Sequence, residues 1–488
     1  MNEEILRVRD ADVFQDERQI LHDIHLELYR GEILGVYGTF DSGKATLMRL
    51  LSGAAAPSRG TIFFAGIPAA QVPLQKQPVV VRVARESALV DSRTLWENLL
   101  LLRPRRHAWN LAAPAVLCRR TETLFREYGF SFDPTSPASA LTPAQRLMLE
   151  ILKARLYRAD VILIDEFSLD APDEEKEALH TFLRQIAAEN ICIMMTGCQM
   201  PLLLHYVDRV SFLYRGTLVK SIRNTPENAA SIQHLREMYL PAGYEAPSRV
   251  QSAQPGNILL EAAGLRDAPE RERRFSLSLR SGEIVTVADP EKPALDYLIR
   301  QLFAPDSNAE LLFCGQHLHT LAGSKKAVCL DCVWLDQPIA GMRPLENICM
   351  GSYERLSTGG VIHSDTEQYL AKAFGEWSGM PEVLVQQDCR HLPRRSRIAL
   401  MLYQLKLRRP KLLVCTNLSE YTDPYTGLLV QRSLQEMAAE GTSVCILSGN
   451  VESMNEYSDR YLLIRDGNIR PIYAHKGPGP QYRKDVIV

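Results

Sequence analysis

The stretch Gly38-Thr39-Phe40-Asp41-Ser42-Gly43-Lys44-Ala45-Thr46 decides how this chain is read. It follows an apolar run, Ile33-Leu34-Gly35-Val36-Tyr37, and leads into Leu47-Met48-Arg49-Leu50-Leu51, the pattern of a strand, a glycine loop and a helix. Gly38, Gly43 and Lys44 fit G-x-x-x-x-G-K-[ST]. In such loops backbone N–H groups at a helix start hold phosphate oxygens, and the lysine adds charge against the β/γ-phosphates. Position 45 departs from the pattern, because Ala45 has no hydroxyl to offer Mg²⁺. Thr46 follows one position on and points to a different side of the helix.

The rest of the chain sets the frame for that loop. At 488 residues it is too long for one ordinary core, so at least two domains are expected. Apolar residues make up 46% and charged residues 23%, a folded rather than disordered composition. A net charge of −2 provides no basic field for nucleic acid. No apolar run approaches the roughly 20 residues needed to span a bilayer, and MNEEILRVRD lacks a signal-peptide core. Most of the ten cysteines lie in apolar strand-like runs (Cys192, Cys329, Cys415, Cys445), which predicts buried, reduced thiols. Cys329 and Cys332 form a C-x-x-C, but with no second pair or histidine cluster nearby they read as strand packing rather than a zinc site.

A repeat organises the chain. Gly31-Glu32-Ile33 recurs as Gly282-Glu283-Ile284, and 282 − 31 = 251. Asp208-Arg209 recurs as Asp459-Arg460, and 459 − 208 = 251. Glu97-Asn98 recurs as Glu346-Asn347, and 346 − 97 = 249. The expected domains are therefore 1–240, a linker over 241–256, a second copy over 257–475, and a polar tail over 476–488. Strand-like runs alternate with helical periodicity in each copy, which predicts an α/β fold. Val161-Ile162-Leu163-Ile164 reads as a buried strand ending in Asp165-Glu166, and 191–195 as another closing on Thr196-Gly197-Cys198. Open α/β sheets bind ligands at the carboxyl ends of their strands, so these ends and the glycine loop are expected to face one site.

The ordered set GTFDSGKATLMRLLSG, LTPAQRLMLEILKAR, ADVILIDEFS and DRV…YRG resembles the ATP-binding-cassette ATPases, and more closely the tandem ATPase subunits of ribose-, galactose- and xylose-type sugar importers. The resemblance implies two tandem P-loop domains, each with a β-rich lobe and a helical subdomain. It implies ATP in the loop 38–46, Asp165 as a water-mediated magnesium ligand and Glu166 as the residue that polarises the attacking water. It also exposes departures. Asp41 stands where the family usually has glycine. Arg85 replaces the glutamine that senses γ-phosphate and touches metal, and Cys198 replaces the switch histidine. The signature LSGGQ reads Leu141-Thr142-Pro143-Ala144-Gln145, with Ala144 at a glycine position and Pro143 lacking an N–H. Phe14 lies near the place of an adenine-stacking aromatic, although a core phenylalanine is as good a reading.

The second copy departs further. Its loop position reads Ala288-Asp289-Pro290-Glu291-Lys292-Pro293-Ala294-Leu295-Asp296, with Leu295 at the lysine position. Thr416 and Asn417 replace the paired acids, Gly449 falls at the switch position, and the signature becomes Leu392-Pro393-Arg394-Arg395-Ser396-Arg397. Arg394 and Arg395 could grip phosphate; a solvated or ion-paired helix start is the other reading. Cassette sites are shared in the family, one copy's loop closing on the other's signature. The second copy is expected to serve structure only, packing against the first.

Two functions stay open. One is a pseudo-ATPase of the sugar-importer type, binding ATP weakly in its first domain with little use of Mg²⁺, and acting as a structural or regulatory partner. The other is a hydrolysing subunit that energises a carbohydrate importer. Losing one donor to a transition state typically costs about 10²–10³ in rate, which favours the first. Either way the resemblance implies a membrane permease as partner, a cytoplasmic or peripheral inner-face location, and a monomer of two pseudo-symmetric halves or a dimer on the permease. The leucine- and arginine-rich stretch LWENLLLLRPRRHAWNL falls where the family docks onto permeases, and it reads equally well as a core helix with a solvated arginine cluster. Tandem cassettes of the ribosome-binding kind are disfavoured by the short linker and near-neutral charge.

Overall fold

Three short runs of buried residues, Ile33–Tyr37, Val161–Ile164 and Cys192–Gly197, form the centre of the first unit's larger sheet. The computed structural model describes residues 3–15, 18–85, 87–101, 113–169, 171–239, 256–268, 273–289, 293–304, 309–385, 388–416, 418, 423–449, 458–465 and 468–472. The chain divides into two compact units, Met1–Leu240 and Pro241–Val488. The expected linker lies almost wholly outside the described residues, as do the tail and positions 102–112 of the expected docking stretch.

In the first unit β1 (Glu4–Gln15) and β2 (Arg18–Tyr29) pair antiparallel and lead to β3 (Ile33–Tyr37), α1 (Lys44–Leu51), β4 (Arg59–Phe64), β5 (Ile67–Pro68) and β6 (Val80–Val83). Then come α2 (Pro114–Glu127), α3 (Pro143–Leu156), β7 (Val161–Ile164), α4 (Asp173–Ala188), β8 (Cys192–Gly197), α5 (Met200–Tyr206), β9 (Arg209–Tyr214), β10 (Thr217–Arg223) and α6 (Ala229–Met238). Two sheets result, a four-stranded one in the order β2-β1-β4-β5 and a six-stranded one in the order β10-β9-β3-β8-β7-β6. Strand β3 has parallel neighbours on both sides and all five of its residues are buried. That is why it reads as an uninterrupted apolar run.

The second unit repeats this order with β11 (Ile258–Leu265), β12 (Phe275–Arg280), β13 (Ile284–Ala288), α7 (Pro293–Phe303), β14 (Glu310–Phe313), β15 (Gln316–Leu318) and β16 (Ala327–Asp331). It continues through α8 (Pro344–Cys349), α9 (Tyr353–Leu356), α10 (Ser364–Ser378), α11 (Arg394–Arg408), β17 (Leu412–Thr416), α12 (Pro424–Ala439), β18 (Ser443–Ser448), β19 (Arg460–Arg465) and β20 (Asn468–Ile472). Its sheets run β12-β11-β14-β15 and β16-β17-β18-β13-β19-β20, the same orders as in the first unit. The doubled α/β architecture is thus present among the described residues.

The repeated residues hold equivalent bonds in both units. Asp208 Oδ2 accepts from the N–H of Ile33 at 2.9 Å, and Asp459 Oδ2 accepts from the N–H of Ile284 at 2.9 Å. Each ties the loop before one strand to the start of its neighbour. Arg209 pairs with Glu32 and Arg460 with Glu283. Buried Asn98 accepts from the N–H of Val90 at 2.8 Å, as buried Asn347 does from Ile339 at 2.7 Å. Gly31 and Gly282 have φ of 71° and 76°, and a Cβ there would crowd the carbonyls of Ala187 and Ala438 at 3.2 and 3.1 Å. The motifs that recur at nearly one spacing are therefore the joints of the fold.

One expectation fails. Cys192, Cys415 and Cys445 are buried strand residues, but Cys329 is exposed. Strand β16 lies at the edge of its sheet and, among the described residues, pairs with β17 alone, so one of its flanks is left without a neighbouring strand. Cys332, three residues on, is buried. Phe14 is half exposed at the end of β1, so it is not a core residue. Among the described residues no helix is long and apolar enough to cross a membrane.

Candidate nucleotide site

Parallel pairing of β3 with β8, and of β8 with β7, brings their carboxyl ends to one edge. Tyr37 sits opposite Gly197, and the N–H of Gly38 donates to the carbonyl of Gly197 at 3.2 Å. The loop 38–46, the Asp165-Glu166 pair and Cys198 leave the sheet at this edge.

The loop is shaped as its glycines require. Gly43 lies at φ 103° and a Cβ there would meet Leu21 Cδ2 at 2.8 Å, while at Gly38 it would meet Ser42 Oγ at 2.5 Å. No other residue fits either place without a shift. Lys44 opens α1 and is buried, with Nζ donating to the carbonyls of Gly38 and Thr39, both at 2.7 Å. Helix α1 has no side-chain cap, so no N-cap side chain answers the first N–H groups of its opening turn. The buried Ser42 hydroxyl has no hydrogen-bond partner. An uncapped helix start, a lysine and an orphaned hydroxyl fit a phosphate group. Asp41, at φ 59°, and Ala45 are exposed, whereas Thr46 is buried. Thr39 and Phe40 are partly exposed, and Nζ of Lys44 lies 6.0 Å from the centre of the Phe40 ring.

The two acids are both held by the protein's own cations. Glu166, at φ 50°, places Oε1 3.4 Å from Lys44 Nζ. Asp165 is buried and its Oδ2 pairs with Nη2 of Arg82, a residue of β6 that the motifs do not point to. Its other oxygen accepts from Thr196 Oγ1 at 3.2 Å, and that hydroxyl also accepts from the N–H of Glu166 at 2.9 Å. Thr196 is wholly buried and thereby fixes the turn that presents both acids. The family's Mg²⁺ does not fit this set. Ala45 gives no ligand, Asp165 is engaged on both oxygens, Glu166 faces Lys44, and Arg85 is a cation. Magnesium needs several well-placed oxygen ligands in near-octahedral geometry and gives up its water reluctantly.

The signature segment is an ordinary helix start. Thr142 Oγ1 accepts from the N–H of Gln145 at 3.3 Å, Gln145 Oε1 accepts from the N–H of Thr142 at 3.1 Å, and Pro143 takes the first helical position of α3. Thr142 also donates to Glu175 at 3.0 Å, and Ala144 is buried. The polar groups that would approach a γ-phosphate are consumed in this capping box. Arg85 is exposed and Cys198 is buried.

In the second unit the corresponding helix start is closed. Asp289 is buried and its Oδ2 accepts from the N–H of Ala294 at 2.9 Å, so a side-chain carboxylate occupies the start of α7. Leu295 is buried in that unit's core. Pro290, Glu291 and Lys292 lie outside the described residues, as does Asn417. Thr416 ends β17 partly exposed, and Gly449 is buried after β18. Arg394 ion-pairs with Asp336 at 2.7 Å, with Arg397 at 3.9 Å from the same carboxylate, and Arg395 stands beside them at the start of α11.

Residues 21–168 match the ABC transporter family. The first unit carries an ABC transporter domain. The chain is 22% identical over 462 residues to a ribose import ATP-binding protein of Roseobacter denitrificans, with 92% of this chain and 89% of that protein covered. It is 23% identical over 480 residues to a galactofuranose transporter ATP-binding protein of Escherichia coli O157:H7, with 95% and 94% covered. A crystal structure of a nucleotide-free ATP-binding cassette from an ABC transporter, 18% identical, matches 49% of this chain and all of its own at a TM-score of 0.42. Both units have mixed α/β architecture with corresponding strand orders.

Proposed function

We propose that this chain is the cassette subunit of a sugar-import system and works there as a pseudo-ATPase, a structural or regulatory partner of a membrane permease on the inner face of the membrane. It binds ATP weakly, in the first unit only. The relatives' names, ribose import and galactofuranose transporter ATP-binding proteins, supply the setting, and their near full-length coverage extends it over both units.

The contrast between the two loops carries the reading. In the first, α1 starts uncapped around Lys44 and the unpaired Ser42 hydroxyl; in the second, Asp289 already caps α7. A phosphate can add to the first and would have to expel a carboxylate from the second. Hydrolysis needs more than phosphate binding. With Glu166 beside Lys44, no histidine at Cys198 and the Thr142–Gln145 box closed, the groups that would order a water and the γ-phosphate are missing or engaged.

Titration of the full chain with ATP, beside a steady-state phosphate-release assay on the same sample, tests this. The expected result is saturable binding with release at the buffer rate. Turnover on the order of 1 s⁻¹ or above, the lower end for working enzymes, would instead establish the second reading, a hydrolysing importer subunit, which the retained Lys44, Asp165 and Glu166 favour.

A further inference from the structure

We propose that Arg82 is a resident cation that takes the place of the divalent metal in the first unit's nucleotide site, so that nucleotide binds there without Mg²⁺. This rests on the nucleotide-binding reading of the loop 38–46.

Strand β6 reads Val80-Val81-Arg82-Val83, and its register sets Arg82 opposite Leu163. The N–H of Asp165 donates to the carbonyl of Val83 at 3.0 Å, which locks the carboxylate's backbone beside the same strand. Arg82 therefore reaches Asp165 from a fixed base, while Thr196 holds the other carboxylate oxygen from the far side. Asp165 is only 6% exposed, so its charge is answered by a guanidinium rather than by water.

A metal ion at this place would have three tasks: to neutralise the buried acid, to draw in phosphate, and to order the ligands around it. Arg82 performs the first directly. A guanidinium stays charged at all working pH values and matches phosphate oxygens with several parallel N–H groups. Its contact with Asp165 uses Nη2, one of five N–H positions on the fork. With Lys44 buried in the loop, the site then carries two fixed cations against two carboxylates before any ligand arrives. A divalent ion would have to displace the Arg82 guanidinium from Asp165, and Ala45 offers it no ligand in return.

The test is equilibrium binding of ATP to the full chain, in excess Mg²⁺ and in excess chelator, for the native protein, Arg82→Met, and Arg82→Met combined with Asp165→Asn. The native protein should bind equally in both media. Arg82→Met should weaken binding in chelator by about tenfold, the worth of one charge-assisted hydrogen bond, and regain it with Mg²⁺ because Asp165 is then open. The double variant leaves no buried charge unpaired, guards against a folding defect, and should weaken without regaining. Native binding that falls several-fold in chelator would overturn the inference while leaving nucleotide binding intact. So would Arg82→Met behaving like the native protein in both media. If only Arg82→Met binds, and only with Mg²⁺, Arg82 blocks the site rather than serving it, and both the inference and the native protein's nucleotide binding fall. If no form binds in either medium, both fall.

Discussion

A methyl group stands exposed at position 45, on the first turn of α1, where a hydroxyl would complete the phosphate-loop pattern. Restoring it addresses one fault among several. Ala45→Ser is expected to leave phosphate release at background, since Asp165 remains paired with Arg82 and the signature remains closed. A phosphate-release assay showing turnover clearly above the native protein would contradict this. Lys44, Asp165 and Glu166 were legible because a phosphate loop and a strand-end acid pair have fixed spacings in sequence. Arg82 was not. A single charge in an edge strand reads as the solvent-facing member of an alternation, and only the register with β7 shows that it turns back onto a buried acid. Its signal was nonetheless present, as a lone cation within Val80-Val81-Arg82-Val83. The exposure of Cys329 was hidden for a related reason: apolar neighbours in sequence do not reveal that a strand lies at the sheet's edge.

Two helices carry predictions that separate folding from binding. The start of α3 was read as a worn signature, although Thr142-x-x-Gln145 also spells a capping box, and the structure uses it so. Thr142→Ala should cost about 1 kcal/mol of stability, as N-cap losses do, and leave ATP affinity unchanged. Urea unfolding beside an ATP titration checks both, and a loss of affinity without a loss of stability would restore the signature role. On α4, His180 is held below the ordinary histidine value. Burial is the first cause, followed by the charges of Arg184 and His205; Glu177 and Asp208 oppose the shift. Arg184 Nε donates to His180 Nε2 at 3.3 Å, which suits a neutral ring, and the His205 ring is 5.3 Å away. The unfolded chain therefore binds this proton more readily, and stability falls as pH drops from about 6.5 towards the depressed folded value. Replacing His180 with Gln should make the urea midpoint less sensitive between neutral and mildly acid pH. An unchanged acid sensitivity would count against that assignment.

At the scale of the whole molecule the repeat was the most legible feature, because the residues that recur are those that join strands. Ile284 follows Ile33, and Arg460 follows Arg209, by 251 residues, and the bonds at these joints match closely. What the repeat could not tell is how differently the two loops are finished, since that depends on one side chain folding back on a helix start. Asp289 makes the difference physical: in the second unit the opening N–H of α7 is already answered from within. Ligand binding stabilises against any opening that destroys the binding site, by an amount set by the ratio of ligand to dissociation constant. With ATP at ten times that constant, amides of β3 and α1 that exchange by opening of the site should therefore slow by about tenfold. The equivalent segment β13 to α7 should exchange at the same rate with and without ATP. Hydrogen exchange followed by mass spectrometry on the full chain reads both segments in one experiment. Protection of Ile284–Ala288 and Pro293–Phe303 equal to that of Ile33–Tyr37 and Lys44–Leu51 would show that a carboxylate cap does not keep phosphate out.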